Sequence, residues 1–127
     1  MPNYLYVILD SKGNIVDFFC NLADISSQGN GVIGKNWFDT FIDPEDREKI
    51  YQVFQEILQG NDKSFETYKN DILCQDGSHR LIDFYNRLVT KNGAKYTLSV
   101  GMEHFEADMV ILKKLAQKLY RKSFLRH

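Results

Sequence analysis

The spacing of apolar residues changes several times along these 127 residues, and each change marks an element. Tyr4 to Leu9 is dense in aromatic and β-branched side chains and reads as a strand. Ile15 to Cys20 reads as its antiparallel partner, joined through a Lys12-Gly13-Asn14 turn. Asn21 to Gly34 is polar and glycine-rich (Ser26, Ser27, Gly29, Asn30, Gly31), which predicts a loop or short helical turns. Val32 to Phe41 predicts a short helix and turn. A long helix is expected over Asp43 to Gln59. Asp43 suits its cap, Pro44 its first position, and Glu45 and Asp46 the positive end of its dipole. Ile50, Phe54, Ile57 and Leu58 then recur at helical spacing, with Tyr51 and Val53 beside the stripe, until Gly60-Asn61 stops it. Ser64 to Cys74, Arg80 to Thr90 and Lys95 to Met102 read as three further strands. Two strands, helices, then three strands suit an α+β fold: a five-stranded antiparallel sheet with helices on one face.

The last segment has a different rhythm. Phe105, Met109, Leu112, Ala116 and Leu119 alternate steps of four and three, the seam of a coiled coil. Acidic residues (Glu103, Glu106, Asp108) precede basic ones (Lys113, Lys114, Lys118, Arg121, Lys122, Arg126), which matches a helix dipole. The pattern stops at Ser123. A helix so short is marginal alone in water, so it must pack on the domain, pair with a second copy or continue into a longer protein.

Several runs, in order, resemble the PAS sensory family. The run from Gly34 to Arg47 (Gly-Lys-Asn-Trp-Phe-Asp-Thr-Phe-Ile-Asp-Pro-Glu-Asp-Arg) is similar to the segment that leads into the family's main helix. Asp10 to Asn14 looks like its first hairpin, and Asn21-Leu22-Ala23 like its Asn-x-Ala after the second strand. Gln75-Asp76-Gly77-Ser78 and Lys91-Asn92-Gly93 look like its later turns. Gly101-Met102-Glu103-His104-Phe105 sits where many bacterial members carry Gly-x-Asp-Ile-Thr, the hinge into an output helix. The resemblance implies a PAS sensor domain over residues 1–105 and a C-terminal amphipathic signalling helix over 106–127. It implies an input module for a separate output, such as a histidine kinase or a cyclic-dinucleotide enzyme, carried outside this chain.

Composition narrows the partners. A net charge of −1 gives no general attraction to nucleic acid. No apolar run is long enough for direct membrane insertion, and a cytoplasmic location is expected. Cys20 and Cys74 are far apart without metal-like spacing, and read as reduced, half-buried thiols.

Candidate chemistry rests on strand alternation. Fitted to the family's strands, Val7, Leu9, Ile72, Ile82, Phe84, Asn86, Thr97, Ser99 and Gly101 point inward. Phe38, Phe41, Tyr51, Phe54 and Leu58 are expected to form a helical wall over them. Together these enclose either plain core or a small ligand cavity. Asn86 beside small Thr97, Ser99 and Gly101 argues for room and for a polar partner, which a ligand, water or protein can supply. The cofactor is unknown. Blue-light members form a flavin adduct on a cysteine directly after the asparagine that Asn36 matches, but Trp37 stands there. Haem members carry a histidine on the main helix or its neighbour, and this one has none. Non-covalent flavin or a small metabolite stays open, and no inward lysine or arginine favours an organic acid. His104 can be read as a pH sensor or a solvated hinge residue. No metal site, phosphate loop or nucleophile elbow is present, and Asp71 and Asp83, the strand acids near the cavity, are turned outward; no catalysis is expected. The outward set, Tyr4, Tyr6, Ile8, Leu98, Val100 and Met102, is apolar. Such a patch needs a cover, either the C-terminal helix or a second subunit in a parallel homodimer.

Overall fold

A computed structural model describes residues 2–22, 25 and 31–125. Most of the glycine-rich segment (26–30) lies outside the described residues, as do Ala23, Arg126 and His127. Five strands run β1 (Leu5–Leu9), β2 (Ile15–Cys20), β3 (Thr67–Leu73), β4 (His79–Lys91) and β5 (Ala94–Glu103). They form one sheet in the order β2-β1-β5-β4-β3, with every neighbour antiparallel. Helices α1 (Trp37–Phe41) and α2 (Arg47–Leu58) cover one face, and α3 (Met109–Leu119) covers the other.

Local chemistry makes the turns. Asp10 accepts hydrogen bonds from the Lys12 and Asn14 amides, so the first hairpin bends around a carboxylate. Gly13 there has φ +84°, and a β-carbon on it would sit 2.6 Å from the Phe38 ring. Asn92 (φ +53°) and Gly93 (φ +81°) form the two-residue turn between β4 and β5, a conformation that Asn-Gly adopts at little cost.

The long helix begins later than its sequence suggests. The Asp46 amide bonds back to the Asp43 carbonyl, and Asp43 caps the Glu45 amide, so Pro44 sits in a turn. The α-helical ladder starts only when the Ile50 amide reaches the Asp46 carbonyl. Arg47 then reaches back from α2 to the carbonyls of Phe38, Ile42 and Asp39 at 2.9–3.3 Å, clamping the end of α1. At the other end, Gly60 (φ +99°) and Asn61 bond to the Ile57 and Glu56 carbonyls and close α2. The chain then turns twice before β3, which starts at Thr67 and not at Ser64, because the Ser64 and Phe65 amides bond back to Asn61 and Asp62.

Two cores result. The inner one joins Leu5, Val7, Leu9, Ile72, Ile82 and Phe84 of the sheet to Trp37, Phe38, Phe41, Phe54 and Leu58 of the helices. The outer one joins Tyr4, Tyr6, Ile8, Leu98, Val100 and Met102 to Leu112, Ala116 and Phe124. The C-terminal helix of the same chain therefore covers the outer sheet face. Its seam is shorter at the start than the spacing predicts. Asp108 caps the Val110 and Ile111 amides, so α3 opens at Met109, and Phe105 stays in the preceding turn, 77% exposed. It is longer at the end, where a π-helical turn (Tyr120–Phe124) carries Phe124 into the outer core past Ser123.

Candidate functional site

Between the sheet's inner face and the helices lies a cavity of about 50 Å³. Alternation on each strand supplies its floor: Val7 and Leu9 from β1, Tyr68 and Asn70 from β3, Phe84 and Asn86 from β4, Thr97 and Ser99 from β5. Trp37 and Phe38 of α1 close one side. Ile50, Val53, Phe54 and Ile57 of α2, at steps of three, one and three, close the other.

Not every expected residue borders this space. Phe38, Phe54, Phe84, Asn86, Thr97 and Ser99 do. Phe41, Leu58, Ile72 and Ile82 are buried in the inner core behind it. Tyr51 is exposed and meets Phe38 edge-on at 5.1 Å, because it stands one residue round the helix from Ile50. Gly101 leaves no room for a ligand. A β-carbon on it would sit 2.5 Å from Ile82 Cγ2 and 2.8 Å from Phe84 Cε1, so those side chains already fill the space. Trp37, Ile50, Val53, Ile57, Tyr68 and Asn70 also border the cavity, outside the lining set that the sequence predicts. Asn70 and Tyr68 were within reach of the alternation that turns Ile72 inward, since they lie two and four residues before it.

The polar end of the cavity is internally satisfied. Asn86 Oδ1 accepts from Ser99 Oγ at 2.6 Å, and Asn86 Nδ2 donates to the Phe65 carbonyl at 3.0 Å. The Asn86 amide also donates to the Glu66 carbonyl. Among the described residues, no charged side chain lines the cavity. An ion would thus enter without a counter-charge, at a large desolvation cost. The volume holds a few waters or a molecule of a few heavy atoms, against the roughly 300 Å³ at which pockets for larger ligands begin. A flavin ring system does not fit it. Asn36 caps α1 through the Phe38 and Asp39 amides, and Trp37 after it is buried against Phe41 and Phe84.

Among the described residues, the acids, histidines and cysteines lie away from this lining. Asp71 alternates with inward Asn70 and Ile72, and Asp83 pairs with His104 at 3.0 Å beside the hinge. His79 pairs with Asp43 at 3.0 Å; the Glu45 amide, then His79, hold that carboxyl below its ordinary range. Cys20 and Cys74 are free thiols, and burial pushes the Cys20 thiol up to about 11. Among the described residues, no group of three histidine, cysteine or acidic side chains is placed to hold a metal. On the outer face, Tyr6 donates to Ser123 Oγ at 3.4 Å, Ser123 also bonds Asp17, and burial raises the Tyr6 phenol to about 12. Lys91 Nζ bonds the Phe124 carbonyl at 2.7 Å and lies over its ring.

No family model matches the chain, and neither does any curated protein. Solved structures do match. The PAS-B domain of Drosophila melanogaster Cycle, solved with ethylene glycol bound, is 11% identical with a TM-score of 0.61, covering 78% of this chain and 98% of that one. The PAS domain of a protein from Colwellia psychrerythraea is 16% identical with a TM-score of 0.61, covering 82% and 88%. The PAS domain of an HTR-like protein from Haloarcula marismortui is 19% identical with a TM-score of 0.53, covering 79% and 80%. At such identities the likeness shows the fold, a five-stranded antiparallel sheet with helices arranged as in these PAS domains.

Proposed function

We propose that this PAS-fold domain is the sensory or regulatory input module of a signal-transduction protein of the histidine-kinase or cyclic-dinucleotide-enzyme class. A small uncharged molecule in the inner cavity is the signal, and α3 carries it onward. The observation behind this reading is the position of Phe84. One side of its ring borders the cavity, and its edge lies on Gly101, at the root of the hinge into α3. A molecule that moves Phe84 presses directly on the backbone that precedes the output helix. To act as a signal it must favour one of two packings of that joint.

Among the described residues, the lining suits an uncharged occupant and offers no acid or histidine with which to do chemistry, so the proposal is a sensor and not an enzyme. No helix among the described residues is long and apolar enough to cross a membrane, which is compatible with the proposed cytoplasmic setting. A homodimer remains part of the proposal. With the sheet face taken by α3, the second copy would meet the outward side of that helix, where Val110 and Ile111 are exposed.

Native mass spectrometry of freshly purified protein, with a denatured control, tests the reading. The expected result is a small extra mass that disappears on denaturation. A bare protein would overturn the ligand and favour a second reading, a filled interaction module that only docks a partner. The small cavity and the internally satisfied Asn86 are the observations on that side.

A further inference from the structure

A second space lies against the inner cavity on the α2 side. A surface groove of about 560 Å³ runs between α2 and the segment leading into β3, bordered outside by Lys49, Gln52, Glu56 and Phe65. Val53 and Tyr68 border both the groove and the cavity, one from each bank. They are the partition between the two spaces. We propose that small uncharged molecules reach the cavity between α2 and β3, through a gate made of Tyr68 and Val53, and that Tyr68 sets the size of what passes.

The surroundings suit a part that moves. Among the described strands β3 is at the sheet edge, bonded to β4 alone, so shifting it breaks one ladder and not two. Tyr68 is half-buried and is held edge-on by Phe65, ring centres 6.1 Å apart. Phe65 is held in turn from inside the cavity, because its carbonyl accepts from the Asn86 side-chain Nδ2 at 3.0 Å. A guest that takes the Asn86 Nδ2 donor for itself frees the Phe65 carbonyl, one of the bonds that hold Phe65 in place, and so loosens the support behind Tyr68. The same atoms that would grip the guest therefore loosen the gate. Selection by charge comes from beyond the gate, where no described lining residue carries a charge. The inference rests on the cavity being a ligand site, but the test below does not need the natural ligand.

Trp37 is the chain's single tryptophan, buried, and on the cavity wall. Its fluorescence therefore reports what enters. Acrylamide, a small uncharged amide, is the probe, and iodide is its charged counterpart. Tyr68→Ala is expected to raise the acrylamide quenching constant several-fold, with a smaller rise for Val53→Ala and a fall below wild type for Val53→Phe. Iodide quenching stays low throughout. Tyr51→Ala, which trims an exposed ring outside the cavity, stays near wild type. The valine pair carries the test alone if Tyr68→Ala fails to fold, as judged by its melting curve. Equal quenching in Tyr51→Ala and Tyr68→Ala, or no rise in Tyr68→Ala and Val53→Ala, overturns the gate. So does a parallel rise with iodide, which marks general loosening. A bare mass spectrum combined with gated acrylamide access would remove the natural ligand and leave the gate standing.

Discussion

Gly101 and Phe84 show how one residue can tie the cavity to the hinge. Because the ring already occupies the glycine's side, Gly101→Ala must displace Phe84 or Ile82. Overpacking of this kind costs about 1–3 kcal/mol, and urea unfolding should show it. Trp37 meets Phe84 edge-on at 6.5 Å, so the folded variant's emission should shift as well. An unchanged spectrum would mean that Phe84 does not transmit strain across the cavity. A second residue-scale prediction concerns Tyr6. Its phenol is raised from 10.0 to about 12 in the folded state, so the folded protein holds that proton more tightly than the unfolded chain. The stability this adds is complete below about pH 10 and is lost as pH rises towards 12. Tyr6→Phe should flatten that part of the alkaline stability profile, measured by urea melts from pH 9 upward. The sequence carries the inward or outward sense of most strand residues, since alternation has a fixed period and the apolar sets on both faces are clear. What fills the space beside each residue is not periodic. Gly101 reads as room, yet the room belongs to a phenylalanine seventeen residues earlier in the chain.

At the scale of elements, α3 is held by a few well-spaced contacts. Leu112, Ala116 and Phe124 are buried beneath it. Its far end is pinned twice, by Lys91 on the Phe124 carbonyl and by Ser123 between Tyr6 and Asp17. Near its start, Lys113 pairs with Glu66 at 3.4 Å, but both side chains are more than a third exposed. Such a pair contributes only about 0.2–1 kcal/mol, so apolar burial decides the docking. Phe124→Ala should cost about 3–5 kcal/mol of the packing that holds α3. Hydrogen exchange should then show amides of 109–124 losing protection while those of β4 and β5 keep it. Equal loss in the strands would mean that helix and sheet fold as one unit. The helix itself was legible from its seam, but its partner was not. Steps of four and three describe an apolar stripe, and a second helix or the chain's own sheet can cover it. Its bounds were set by groups outside the seam, the Asp108 cap at one end and the π-helical turn at the other.

For the whole molecule, assembly depends on which surface is left over. Sheet and α3 bury each other, and Leu98 and Val100 lie at or near zero exposure between them. Placing aspartates there buries carboxylates without partners, which costs several kcal/mol and expels the helix. That substitution therefore cannot isolate a dimer contact from a folding defect. The outward side of α3 can. Val110 is 61% and Ile111 37% exposed, side by side on a helix whose other face is already buried. Surface substitutions at such positions usually change stability by no more than about 0.5 kcal/mol. The double variant Val110→Asp, Ile111→Asp should melt like the parent. If two copies pair in parallel through α3, sedimentation of the parent should give a dimer and of the variant a monomer. A dimeric variant places the contact on another surface. A monomeric parent removes the homodimer, and α3 then passes its signal to the output domain by packing against it.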